Sequence, residues 1–305
     1  MSCKSLQWPI SNGLVDAEVY LPDSEDGYYR GTRFDWAGVI GSLTCASHSY
    51  FGPWREEHDP YKHDSITGPA EEFYAAGEPD IDYPFVAEGD AFLRLGVGLL
   101  CKKDSSTFER FHTYAFADTG QWHTSMDHDC VEFEQQAISP SGLGYVYKKA
   151  VRLVVQHPIL LIEHSLVNVG SRDICTRHYN HNFLTIDQQP TGPGFEILLP
   201  YAVRAAEALN PLQVRGQRIT FDRMLTAEES VLAELTGYGA SASDYDITVI
   251  HRDTGAAVRI RADRPLVKLL LWAKRQTLCP EPYIDIALRP GEHISWTISY
   301  HFYEV

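Results

Sequence analysis

Short segments in which apolar and polar residues alternate, punctuated by Gly, Pro and Asp, recur along this chain and limit its fold more than any other feature. Val131-Glu132-Phe133-Glu134-Gln135 is one such segment, with the two-residue period of a half-buried strand. Residues 145–156 and 159–169 read as two long strands around a turn at Gln156-His157-Pro158. Further strands are expected over 176–186, 195–203, 218–221, 246–251, 257–262, 266–273 and 294–302. So many strands, with so little helical pattern between them, predict an all-β chain: a large antiparallel β-sandwich with one or two short helices. One helix is expected after Thr226, which can cap it, with Glu229 completing a capping box and Gly237 stopping it. No repeat, linker or low-complexity tract divides residues 1–305, which predicts one domain.

Charge narrows the function. The net charge is −15, with 26 basic residues and no Lys/Arg stripe. A nucleic-acid ligand needs a basic footprint, so that class is not expected, and an acidic surface also disfavours anionic membranes. No apolar run reaches bilayer length; the stretch 151–169 is broken by Arg152, Gln156, His157, Glu163 and His164. A chain beginning Met1-Ser2-Cys3-Lys4 without a signal-like run is expected to be cytoplasmic. Its six cysteines are scattered without metal-type spacing, so reduced thiols and no cysteine-bound zinc are expected.

The regions 23–36 and 47–90 do not read as strands. They are rich in Tyr, Trp, Pro, Gly and charge, as loops that rim a binding site or plug a sandwich end would be. The sharpest polar signal is Tyr179-Asn180-His181-Asn182-Phe183 inside an apparent strand. Alternation aims Asn180 and Asn182 one way and His181 and Phe183 the other. Such residues either floor a wet cleft or are core groups satisfied by backbone. A second signal is Cys279-Pro280-Glu281-Pro282-Tyr283, where flanking prolines would hold a glutamate in a fixed loop presentation. An exposed glutamate in a strand connection is the plainer alternative.

Together and in this order, these segments resemble the aldose 1-epimerase (galactose mutarotase-like) superfamily. The matching points are an early Gly31-Thr32-Arg33-Phe34 strand, Asn180-His181-Asn182-Phe183, Glu281-Pro282, and Pro290-Gly291-Glu292 before a final aromatic strand. Glu163 to Gly170 resembles the family's strand that ends in an Asn-x-Gly turn. The resemblance implies Glu281 as catalytic base and His181 as catalytic acid. It implies Asp244 as the substrate-binding aspartate, with Asp246 as the other register, and His112 as the nearest match to a second histidine. The glycine that should follow that histidine is absent. The family's early arginine has no clear counterpart, and Thr67 to Phe73 stands in its place with the acids Glu71 and Glu72. Arg33, Asn180 and Glu71 complete the expected substrate-binding set. Glu71 and Glu72 would otherwise open a helical turn after Gly68-Pro69.

The implied activity is interconversion of sugar anomers by acid–base catalysis, with a small-molecule sugar as partner and no cofactor. Glu281 as carboxylate would take the anomeric hydroxyl proton and protonated His181 would donate to the ring oxygen. A non-catalytic carbohydrate-binding protein and another sugar epimerase or lyase on the same fold remain open. A metal site drawn from His112, His123, His128, His178 and His181 is a further alternative, against which no metal is expected. Charge favours a neutral sugar over a sugar phosphate unless Arg30, Arg33, Arg55 and Arg94 converge. Oligomeric state is not readable.

Overall fold

A computed structural model describes residues 6–75, 80–206 and 210–305. Among them lie 23 strands and three single-turn 3-10 helices, at Tyr83–Phe85, Ile186–Gln188 and Ala242–Asp244. All-β architecture is therefore the outcome, and no described helix is long and apolar enough to cross a membrane.

Strands β1 (Gln7–Ser11), β2 (Val15–Tyr20), β3 (Val39–Cys45) and β4 (His48–Phe51) form one sheet in that order. A three-stranded sheet follows, from β6 (Ala91–Arg94), β7 (Gly98–Cys101) and β8 (Phe116–Asp118). The six-stranded sheet runs β15 (Arg204–Ala205), β18 (Ser230–Thr236), β21 (Lys268–Lys274), β22 (Thr277–Leu288), β13 (Ile174–His181), β5 (Ala70–Tyr74). The ten-stranded sheet begins β16 (Leu212–Arg215), β17 (Arg218–Phe221), β14 (Phe195–Leu198), β19 (Asp246–His251), β20 (Ala256–Ala262). It continues β23 (His293–Glu304), β12 (Ile159–Asn168), β11 (Gly144–Leu153), β10 (Cys130–Ile138), β9 (Gln121–Met126). Every ladder is antiparallel; β10, β11 and β12 pair as consecutive hairpins, with the expected turn at Gln156-His157-Pro158.

The six- and four-stranded sheets form one layer against the ten-stranded sheet. Phe73 of β5 meets Tyr147 of β11 edge-on at 5.3 Å and Trp296 of β23 at 6.3 Å. Tyr50 and Phe51 of β4 meet Phe302 and Tyr300 of β23 at 4.6 and 5.9 Å. Bridges from Leu184 to Phe51 and to Leu278 stitch the two smaller sheets together. On the other face of the six-stranded sheet lies a second aromatic cluster, of Tyr29, Phe34, Trp36, Trp54, Tyr179, Phe183 and Tyr283. Loops 23–36 and 52–69 roof it, and each buried ring of this kind contributes about 1.5–3 kcal/mol. Gly68 is needed there because a Cβ on it would lie 2.5 Å from the Phe183 nitrogen.

Four expectations change. The helix after Thr226 does not form. The Thr226 N–H does donate to the Glu229 carboxylate at 2.7 Å, as half a capping box. The next seven residues, however, bury Val231, Ala233 and Leu235 and expose those between, and that two-residue period makes β18. Glu71 and Glu72 lie in strand β5, not in a helical turn. Gly31 to Phe34 is an irregular segment, not a strand. The segment around Glu281 is a strand, not a loop. Pairing of β22 with β13 stops at Tyr179↔Tyr283, so residues 279–282 have only β21 as a ladder partner, and there prolines 280 and 282 are tolerated.

Candidate functional site

Register brings the site residues together. Tyr179 of β13 lies opposite Tyr283 of β22 and Glu72 of β5, so all three share the outer face of the six-stranded sheet. Two residues further, His181 and Glu281 come to the same face, with His181 Nε2 3.2 Å from Glu281 Oε1. Their side chains are only 5% and 6% exposed. The His181 ring stacks on Phe183 at 3.9 Å and meets Trp272 of β21 edge-on at 5.2 Å. Tyr283 donates its hydroxyl to the other oxygen of Glu281 at 3.3 Å.

This environment sets the charges. Burial pushes the Glu281 carboxyl up to about 7, against an opposing pull from Arg33 and Arg110. Burial, with those same arginines, holds His181 well below its ordinary value, and its Nδ1 has no hydrogen-bond partner. At neutral pH the imidazole is therefore neutral. A protonated His181, as the resemblance implies, is disfavoured here because the cation would lose its hydration beside two guanidinium groups, while Glu281 near 7 can be present in either form.

Beneath this pair lies a second set of charges. Glu72, fully buried, accepts from Arg33 at 2.9 Å, Arg94 at 3.2 Å and Arg110 at 2.8 and 2.7 Å, and from the Tyr179 hydroxyl at 2.5 Å. Those guanidiniums hold its carboxyl well below the usual range. Arg33 also donates to the Tyr179 hydroxyl at 3.0 Å, and the Tyr179 and Tyr283 rings stack at 4.3 Å. Partly exposed groups in this assembly are Trp272, Tyr74, Arg110 and Lys268, and they mark where solvent reaches it.

The inner face of the same sheet carries a separate network. Asn180 donates to Glu71 at 2.6 Å and to the Tyr300 hydroxyl at 3.2 Å. The Tyr300 hydroxyl in turn donates to Asn182 at 2.8 Å, and Asn182 donates to the Pro280 carbonyl at 2.8 Å. Asn182 thus satisfies the backbone of β22 where β13 has left it. Glu71 pairs with buried Lys149 at 2.6 Å and meets His164 at 2.9 Å, and Lys149 also reaches Asp35 at 3.2 Å. Glu71, His164 and His178 bring donor atoms within 4.8 Å of one another, as a metal site would. The Lys149 ammonium sits on the same Glu71 oxygen, however, so a cation already fills that place and the donors do not fit a divalent ion.

Of the residues singled out in sequence, Glu281, His181 and Arg33 meet on the outer face. Asn180 and Glu71 lie on the inner face, behind the sheet. Asp244 closes the Ala242–Asp244 turn and accepts from the Gly239 N–H, while Asp246 pairs with Arg259; neither is in contact with the pair. His112 is exposed with its ring edge-on to Tyr114, and it is Arg110, two residues earlier, that enters the site. His123 and His128 are exposed on or near β9, and His178 and His181 occupy opposite faces of β13, so the five histidines do not converge. Arg94 joins Arg33, whereas Arg55 pairs with Asp64 and Arg30 lies over Tyr61. Sequence reasoning missed Arg110, which no spacing rule marks. Glu72 was legible: once Glu71 faces inward, a two-residue period turns Glu72 outward.

No family model matches this chain, and no curated protein does either. Solved structures do. A galactose mutarotase-like protein from Clostridium acetobutylicum superposes with a TM-score of 0.60 at 11% identity, over 97% of this chain and 95% of that one. A protein described as a putative aldose 1-epimerase from Escherichia coli K12 gives 0.57 at 14% identity, over 98% and 99%. A GalM/aldose epimerase homologue from C. elegans gives 0.52 at 13%, over 99% of both chains. The chain has the galactose mutarotase-like β-sandwich fold, at a sequence distance where the likeness concerns the fold alone.

Proposed function

We propose that the outer face of the six-stranded sheet binds a sugar and that His181 and Glu281 interconvert its anomers. The observation that carries this reading is the 3.2 Å contact between a neutral imidazole and a carboxyl whose pKa lies near neutrality. Ring opening takes the proton from O1, breaks the bond from the anomeric carbon to the ring oxygen and gives that oxygen a proton. Both oxygens are attached to one carbon, so adjacent acid and base groups can serve them together. Glu281 as carboxylic acid donates to the ring oxygen while His181 accepts from O1. The open aldehyde rotates; as the ring hydroxyl attacks the other face of the carbonyl carbon, its proton goes to the Glu281 carboxylate and the His181 imidazolium gives its proton to O1. No redox change or co-reactant is needed. Positioned acid–base groups of this kind give about 10²–10⁴-fold each. Trp272, half-buried beside His181, supplies an aromatic wall for the apolar face of a sugar ring.

The test is anomer exchange followed by NMR saturation transfer across a panel of aldoses. Glu281→Gln is expected to bind sugar and to lose the acceleration. Binding by the unaltered chain with no acceleration of any aldose would identify a carbohydrate-binding protein instead.

A further inference from the structure

The charges around Glu72 exceed what one carboxylate requires. A single arginine would neutralise it; three converge, and Arg110 does so with two nitrogens. The other nearby acids are few. Asp80, half-buried near Arg94 and with its carboxyl pushed up to about 6 by desolvation, accepts from the backbone N–H groups of Asp82 and Tyr83, and Glu281 carries the catalytic proton in the reading above. Glu72 is the one carboxylate that these three guanidinium groups contact among the described residues, and even counting an ionised Asp80 three positive charges face two negative ones while Glu281 holds its proton. Lys268 adds another positive charge, 5.7 Å from the Tyr283 ring, and among the described residues only the exposed Glu234, at 3.9 Å, lies opposite it. Surplus positive charge in a largely desolvated site is costly unless an anion completes it.

That surplus is also reachable. Arg33 and Arg94 are buried, but the Arg110 side chain is 24% exposed and Lys268 28%. Both flank the Tyr179–Tyr283 stack that leads to Glu281, Arg110 at 5.7 Å from the Tyr179 ring. The Arg110 Nη1 makes no hydrogen bond among the described residues, while its Nε and Nη2 are fixed on Glu72. Arg110 is thus pinned in direction and has a donor left over. A guanidinium held this way suits a carboxylate or phosphate, and its flank is packed by Tyr74 at 4.2 Å and Phe111 at 5.5 Å.

We propose that the ligand of this site is an anionic sugar, bearing a carboxylate or a phosphate that Arg110 and Lys268 meet beside the Tyr179–Tyr283 stack. The inference rests on the sugar reading above and departs from the expectation of a neutral sugar because Arg33, Arg94 and Arg110 converge in space although they are scattered in sequence.

The experiment is calorimetric titration of the full chain with glucose, galactose and mannose, each beside its uronate and its 6-phosphate, and with inorganic phosphate alone. At least one uronate or 6-phosphate is expected to bind ten-fold or more tightly than its neutral parent. The preference should shrink between 50 and 200 mM salt. Arg110→Gln should abolish it, and Lys268→Gln, a partly exposed change that leaves Glu72 paired, should weaken it. The uronate and phosphate arms distinguish the two sources of charge. Neutral sugars binding as tightly as charged ones would overturn the anion while leaving the sugar. Inorganic phosphate binding with no sugar bound would overturn the sugar reading, and with it the proposed ligand. No binding at all would overturn both.

Discussion

Glu71 and Glu72 are consecutive carboxylates of strand β5 that serve opposite sides of one sheet: Glu71 pairs with Lys149 in the interior and Glu72 with three arginines on the outer face. The alternation of a strand is enough to separate them. One carboxylate then belongs to the core between the layers and the other to the candidate site.

The inner network predicts an asymmetry. Lys149 is the one ammonium between Asp35 and Glu71, all three buried. Lys149→Met leaves two carboxylates facing each other without a cation and should cost about 3–5 kcal/mol or more. Glu71→Gln leaves Lys149 with Asp35 and loses chiefly hydrogen bonds, about 1–3 kcal/mol. Urea unfolding of the two variants at pH 7 measures the difference; equal losses would show that Lys149 is not the cation the core depends on.

Acid should unfold this protein through the same two residues. Both Glu71 and Glu72 have carboxyls held well below the usual range, by His164 and Lys149 in one case and by the arginines in the other. A depressed carboxyl contributes stability that is present above its unfolded pKa and is lost as pH falls towards its folded one. Stability is therefore expected to drop steeply below about pH 4.5. In Glu72→Gln the drop should be shallower although the starting stability is lower, and a parallel drop in both proteins would contradict it.

Glu281 carries the opposite sign. Its carboxyl is raised from 4.5 to about 7, so the folded chain holds a proton there that the unfolded chain releases. Between those values stability falls as pH rises, and the loss is complete above about 7. Glu281→Gln cannot ionise. It should therefore be more stable than the parent at pH 8, by about 3 kcal/mol, with no advantage at pH 4. Denaturant titrations at the two pH values decide this.

Much of this was legible from alternation alone. Residues 131–169 appear as three hairpin strands, and the opposite facing of Asn180 and His181 follows from their spacing. The fold class needs nothing more. What stayed hidden depended on contacts between distant segments. Pro280 and Pro282 argue against a strand, and only the early end of the β13–β22 ladder at Tyr179, with Asn182 reaching the Pro280 carbonyl, explains how they sit in one. Thr226 and Glu229 form a real local bond that is outvoted by the packing of Val231, Ala233 and Leu235. Arg110 lies on a loop without periodicity, and only the buried Glu72 gives it a direction.

If His181 and Glu281 work as proposed, their protonation sets the pH profile of anomer exchange. Ring opening needs one acid and one base, so the pair must hold one proton between them. Burial keeps His181 neutral and places the carboxyl near 7, so below that value Glu281 supplies the proton and above it neither group does. The rate is therefore expected to fall as pH rises through about 7. The sign does not depend on which partner carries the proton, because both arrangements contain the same one. An exchange rate measured by NMR from pH 5.5 to 8.5, corrected for the reaction in buffer, should show a single descending limb. A rate that climbs through neutrality would mean that an ionised carboxylate is the working form, and that the acid is some group other than His181.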